Sequence, residues 1–259
     1  RIGLFFIAIP FVWLLYLCMI RKLFPKIKQF FCNLSKVERK YLWIFNLAFL
    51  VLVLFINLQT NAFTVPHENG GGAVQGYGVL YSTDTGVQVH NNAFQNALSS
   101  ENDLRQPLFA LFSFPFGQIA GFGAFIFGFV PNEISYSVFL VLLQGFVLSI
   151  CSILLSRMMR QFDSIACLSF FSFMYATIFF SLNIEQYVFG IFWLMILVYH
   201  FVMKNESNPW LFSAATGSLI TNAIWLPFIL PKKKFKEYFF EGLKYGLIFL
   251  ALLIVFGQT

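Results

Sequence analysis

Apolar runs of about twenty residues recur from one end of this chain to the other. They lie at 2–20, 41–58, 108–130, 136–156, 164–182, 187–203, 209–230 and 239–256. A helix needs about 20 apolar residues to cross the hydrocarbon of a bilayer. Inside that hydrocarbon each backbone N–H and C=O must be satisfied within the protein. Repeated runs of this length restrict the chain to an all-α fold, a polytopic membrane bundle. Segments of alternating polarity, the signature of a membrane barrel, are not seen. Charged residues make up 11% of the 259 and mean hydropathy is +0.76, whereas soluble domains carry roughly 25% charge. The 37 phenylalanines read as lipid-facing bulk and packing.

The bases set a topology. Residues 21–40 hold Arg21, Lys22, Lys26, Lys28, Lys36, Arg39 and Lys40 against one acid, Glu38, so this loop is expected inside. The span 41–58 then runs outward and the polar segment 59–107 faces out. The run 108–130 is long enough to cross, but it contains Pro115, Gly117, Gly121, Gly123 and Gly128. A full crossing there would put Arg157 and Arg160 outside after the span 136–156. A broken or re-entrant segment, or one lying at the interface, keeps them inside. The spans 164–182 and 187–203 follow, joined by an outer turn containing Glu185. The run 209–230 must return to the side it left, because Lys204 precedes it and Lys232, Lys233, Lys234 and Lys236 follow. A break around Gly217–Asn222 is expected. The span 239–256 crosses outward. One transmembrane domain, 1–259 with an outer polar loop 59–107, accounts for the pattern. The chain starts at Arg1 without a basic lead or a cleavage site and stops just past an apolar run, as expected of a fragment without a cleavable signal.

Net charge is +6, but the bases cluster at span ends, so no nucleic-acid partner is implied. Cys18, Cys151 and Cys167 lie in apolar runs and Cys32 in the basic loop, with no disulfide or metal spacing. Three histidines, His67, His90 and His200, make no zinc set. Gly70–Gly72 lacks the flanking strand and helix of a phosphate loop and reads as a connector. Trp13, Trp43, Trp193, Trp210 and Trp225 read as packing or interfacial belt residues.

Polar chemistry gathers in residues 78–109, GVLYSTDTGVQVHNNAFQNALSSENDLRQPLF, with Asp84, Glu101, Asp103 and Arg105. Long polar loops are where binding and catalysis concentrate. An arginine suits a phosphate because its planar fork donates two hydrogen bonds to paired oxygens. Each residue also has a plainer reading. Asp84 in Ser-Thr-Asp-Thr-Gly is good turn chemistry. Arg105 could pair with Asp103 or Glu101, which could instead start the following helix. Glu185 could be simply solvated.

The order of these features resembles the GT-C superfamily of polyprenyl-phosphate-sugar-dependent membrane glycosyltransferases, which includes protein O-mannosyltransferases and the aminoarabinose transferase of lipid A. The resemblance rests on the span 41–58, then Asp84 in STDTG, then Arg105-Gln106-Pro107-Leu108, and later Asn183-Ile184-Glu185-Gln186-Tyr187, within residues 41–256. Thr85 follows Asp84 where relatives often have Glu, and Gln106 stands where many have Pro or His. The resemblance implies a jaw-like helix at the outer surface after residue 107. It implies Asp84 as catalytic base, and Arg105, Glu101, Asp103 and Glu185 as substrate-binding residues. It implies a lipid-linked sugar donor as substrate and membrane lipid as partner; no cofactor is expected, and the residues neither support a metal nor decide metal dependence. The expected setting is a bacterial cytoplasmic membrane with the site facing outward. A lipid or solute transporter or flippase, or a non-catalytic membrane subunit, remains the alternative from the residues alone.

Overall fold

The computed structural model describes residues 17, 21, 24–60, 67–69, 73–75, 106–126, 132–159, 162–174, 177–178, 182, 186–206, 208–230 and 235–256. Helix dominates. Five of the helices are long and apolar enough to cross a membrane, which makes this an integral membrane protein of the helical kind. The described residues divide into two compact units, Arg1–Tyr41 and Leu42–Thr259.

In the first unit, helix α1 (24–32) ends at a turn in which Asn33 N–H donates to Gln29 O. Leu34 is buried at the corner. Helix α2 (Lys36–Thr60) begins on a reciprocal cap. Ser35 N–H donates to Glu38 Oε2 at 2.7 Å, and Glu38 N–H donates to Ser35 Oγ at 3.2 Å. The sequence Ser-x-x-Glu satisfies two otherwise orphaned N–H groups in this way.

The second unit takes up α2 from Leu42. A small antiparallel hairpin follows, β1 (His67–Asn69) with β2 (Ala73–Gln75), His67 opposite Gln75. The helices after it are α3 (Phe109–Ile126), α4 (Asn132–Met158), α5 (Ser164–Phe173), α6 (Gln186–Lys204), α7 (Pro209–Ser218), a 3₁₀ turn (Ile220–Trp225), the single turn α8 (Leu226–Ile229) and α9 (Phe235–Phe256). Helix α4 packs on α3, α5 and α6, and α7 packs on α3, α6 and α9. Over its apolar window α4 is 61% buried, against 17% for α9, so α4 is central and α9 lines the outside of the bundle. Phe49 and Val53 of α2 join the core formed by Phe109, Leu140, Val141, Leu148 and Phe189. Asn46 ties α2 to α4, donating to Leu42 O at 2.8 Å and to Ser149 Oγ at 3.2 Å.

Two expectations about continuity are corrected. The run 108–130 is unbroken over its described part, with α3 passing straight through Pro115, Gly117, Gly121 and Gly123. Neighbouring helices make such residues tolerable at membrane depth. Gly123 serves packing, since a Cβ there would come within 2.6 Å of the Phe139 ring. Conversely, 164–182 is not one straight helix. Helix α5 stops after ten residues at Met174, whose backbone is extended (φ −60°, ψ 132°). The expected span 2–20 lies almost wholly outside the described residues. The expected break in 209–230 is present, at Leu219 (φ −156°, ψ 109°).

Candidate functional site

The break at Leu219 is built from identifiable parts. Asn208 caps α7, its Oδ1 accepting from Trp210 N–H at 2.9 Å and Leu211 N–H at 3.3 Å. Pro209 takes the first helical position, where its missing N–H costs nothing. Every residue from Phe212 to Ser218 is buried, so this short helix sits deep in the bundle. At its end Leu219 turns to extended backbone and packs on Gly190 of α6. Asn222 then closes the gap. Its amide donates to Ala215 O at 3.0 Å and to Gly190 O at 3.2 Å, with the residue only 6% exposed. The same side chain thus joins the last turn of α7, where Ala215 O also accepts from Leu219 N–H at 3.1 Å, to a carbonyl of the neighbouring helix.

The chain returning from the polar loop lands on this place. Gln106, Pro107 and Leu108 are all buried. The N–H of Leu108 donates to Gly217 O at 2.9 Å. Gln106 O accepts from Phe109 N–H at 3.1 Å and starts α3. Close approach requires glycine at 217, because a Cβ there would lie 2.6 Å from Leu108 Cβ. The Gln-Pro-Leu segment and the Gly217–Asn222 break, two features distant in sequence, are in contact.

Polar groups with spare hydrogen-bonding capacity line the same region. Ser213 Oγ, Thr216 Oγ1, Ser218 Oγ and Trp193 Nε1 are buried, and none has a hydrogen-bond partner among the described residues. Ser213 and Thr216 stand three residues apart, hence on one face of α7. Trp193 is wedged against Phe112 and Phe116 of α3, with ring centroids 5.9 and 6.4 Å away. The region offers hydroxyl and indole donors in apolar surroundings. It can hold oxygen acceptors, but hydroxyls and an indole do not supply a base near neutral pH.

The charged candidates Asp84, Glu101, Asp103, Arg105 and Glu185 lie outside the described residues. The structure does describe the residues immediately after Arg105 and Glu185. Gln106 is buried, and Gln186 opens α6. Sequence reasoning located the irregular segment but missed the part played by Asn222 and the hydroxyls of α7. The available signal was Ser-Ala-Ala-Thr-Gly-Ser followed by Asn222 within an otherwise apolar run. His200 lies near the end of α6 with Nδ1 3.1 Å from Glu206 O.

Comparison with protein-family models, with curated proteins and with solved structures yields no match to this chain.

Proposed function

We propose that this protein is a GT-C-like, inverting glycosyltransferase. It moves a sugar from a polyprenyl-phosphate carrier to an acceptor hydroxyl at the outer face of a membrane, in a bacterial cell envelope. The observation that carries the reading is the Leu108–Gly217 hydrogen bond. It supports a site built where Gln106-Pro107-Leu108, the residues that follow Arg105 in sequence, meet an irregular stretch of membrane helix with uncommitted hydroxyls. In this reading Arg105 holds the carrier phosphate through its two-pronged guanidinium. Glu101, Asp103 and Glu185 bind sugar or acceptor. The acceptor oxygen attacks the anomeric carbon, and the bond from that carbon to the phosphate oxygen breaks. The electron pair leaves on the phosphate, where Arg105 stabilises it, and Asp84 takes the acceptor proton. Fixed charge aimed at a developing anion is usually the largest catalytic term.

The experiment incubates purified protein with a polyprenyl-phosphate sugar and follows release of the carrier phosphate. Release that depends on Asp84 and Arg105 supports the transferase. Carrier movement across a vesicle membrane without cleavage supports the second reading, a lipid transporter. That reading is favoured by the two interrupted helices, at Met174 and Leu219, since transporters build their sites from such discontinuities.

A further inference from the structure

The corner formed by residues 21–41 has a chemistry of its own. Its one acid, Glu38, is 7% exposed and turned back onto the backbone of Ser35 in the cap. Its bases are disposed the other way. Arg21, Lys26, Lys28, Lys36, Arg39 and Lys40 are all exposed. Between them stand bare apolar side chains, Phe24 at 66%, Ile27 at 45% and Val37 at 42% exposure. Bases alone would make an ordinary solvated face. Bases interleaved with uncovered apolar side chains, directly before a membrane span, make a surface suited to the headgroup zone. There the apolar groups immerse and the cations lie at the depth of the phosphates. The long stems of Lys and Arg allow both at once. Of these three only Phe24 has a ring on which a nucleobase could stack, whereas a lipid surface takes up all three.

We propose that the 21–41 corner is a docking surface for the anionic headgroups of membrane phospholipids, independent of the transferase reading. The Ser35–Glu38 cap is part of the device. It holds the one acid of residues 21–41 against the Ser35 backbone and fixes the turn that brings α1 and the start of α2 together.

The test uses the full chain reconstituted in lipid nanodiscs made of phosphatidylcholine with a minority of phosphatidylglycerol. Native mass spectrometry after mild delipidation counts which lipids stay bound. The wild type is expected to retain phosphatidylglycerol preferentially, and to lose that preference as salt is raised. The variant Lys26→Gln/Lys28→Gln/Lys36→Gln/Arg39→Gln/Lys40→Gln should bind it about tenfold or more weakly. A variant with the four lysines changed to arginine should keep the preference. Should the five-site variant not fold, the pairs Lys26→Gln/Lys28→Gln and Arg39→Gln/Lys40→Gln carry the same test, each losing part of the preference. A folded variant that retains the wild-type preference overturns the proposal. So does displacement of the lipid by an oligoribonucleotide at equal phosphate concentration.

Discussion

The backbone N–H of Leu108 donates to the carbonyl of Gly217 at 2.9 Å, and the Leu108 side chain fills the space that a Cβ on residue 217 would need. One contact thus joins the end of the polar loop to the last turn of α7. Gly217→Ala should weaken the fold by about 1–3 kcal/mol, the usual cost of overpacking a close contact, and lower the unfolding temperature in detergent. Adding Leu108→Ala should restore only part of the loss, because alanine keeps the offending Cβ. Full recovery in the double variant would show that the contact is not the one described.

Asn222 holds two carbonyls with one amide group. Asn222→Leu removes both of these hydrogen bonds from the interior and leaves Ala215 O with the Leu219 N–H alone, and each lost hydrogen bond costs about 0.5–1.5 kcal/mol. Asn222→Asp should be no better, since a carboxylate has no hydrogen to give and would itself be buried. Thermal unfolding of both variants checks this. Wild-type stability in either would mean that the break at Leu219 closes without the amide.

Under the transferase reading, Asp84→Asn removes the proton acceptor while keeping the side chain's size. Turnover should fall about a hundred- to ten-thousand-fold, with carrier binding and yield preserved. Glu101→Gln and Asp103→Asn should cost far less. Arg105→Ala should weaken carrier binding, and Arg105→Lys should recover only part, because an ammonium cannot bridge two oxygens. Single-turnover kinetics and carrier titration separate the two effects. Full activity in Asp84→Asn, Glu101→Gln and Asp103→Asn together would end the catalytic reading of the loop.

Topology is tested separately. Helix α3 is unbroken, and its 18 residues extend about 27 Å at 1.5 Å per residue, slightly less than the roughly 30 Å of hydrocarbon. If α3 does not cross the membrane, the positive-inside rule puts the ends of α4 and of the 209–230 segment on the inner side. Met159→Cys and Lys234→Cys should resist an impermeant maleimide in sealed cells. Labelling at either position would put those bases outside.

The long uninterrupted helices were legible because each is an apolar run with charges at its end, as at 136–156 inside Asn132–Met158 and 239–256 inside Phe235–Phe256. The breaks were harder to read. Gly217 and Asn222 marked one of them, through a small residue and an amide where lipid wants neither. Pro115 and its neighbouring glycines pointed to a break that does not occur. Membrane helices absorb such residues when packing covers them, and at Gly123 the missing side chain makes room for Phe139. Met174 gave no local warning. No proline or glycine occurs between Ser164 and Leu182, so no helix breaker in the sequence marks the interruption. The Leu108–Gly217 contact was out of reach of a local pattern, as its partners are more than a hundred positions apart.

Serine in a membrane helix usually spends its hydrogen at home. Ser113 donates to Phe109 O, Ser152 to Leu148 O and Ser172 to Leu168 O. Each keeps only oxygen lone pairs for anything outside. Ser213, Thr216 and Ser218 have made no such bargain among the described residues. The hydroxyls therefore fall into two groups, those of α3, α4 and α5 whose hydrogen is committed to their own helix and those of α7 that keep both a hydrogen and lone pairs to offer. A guest that hydrogen-bonds recovers at α7 a desolvation cost already incurred, because each of these hydroxyls can turn either to donate or to accept.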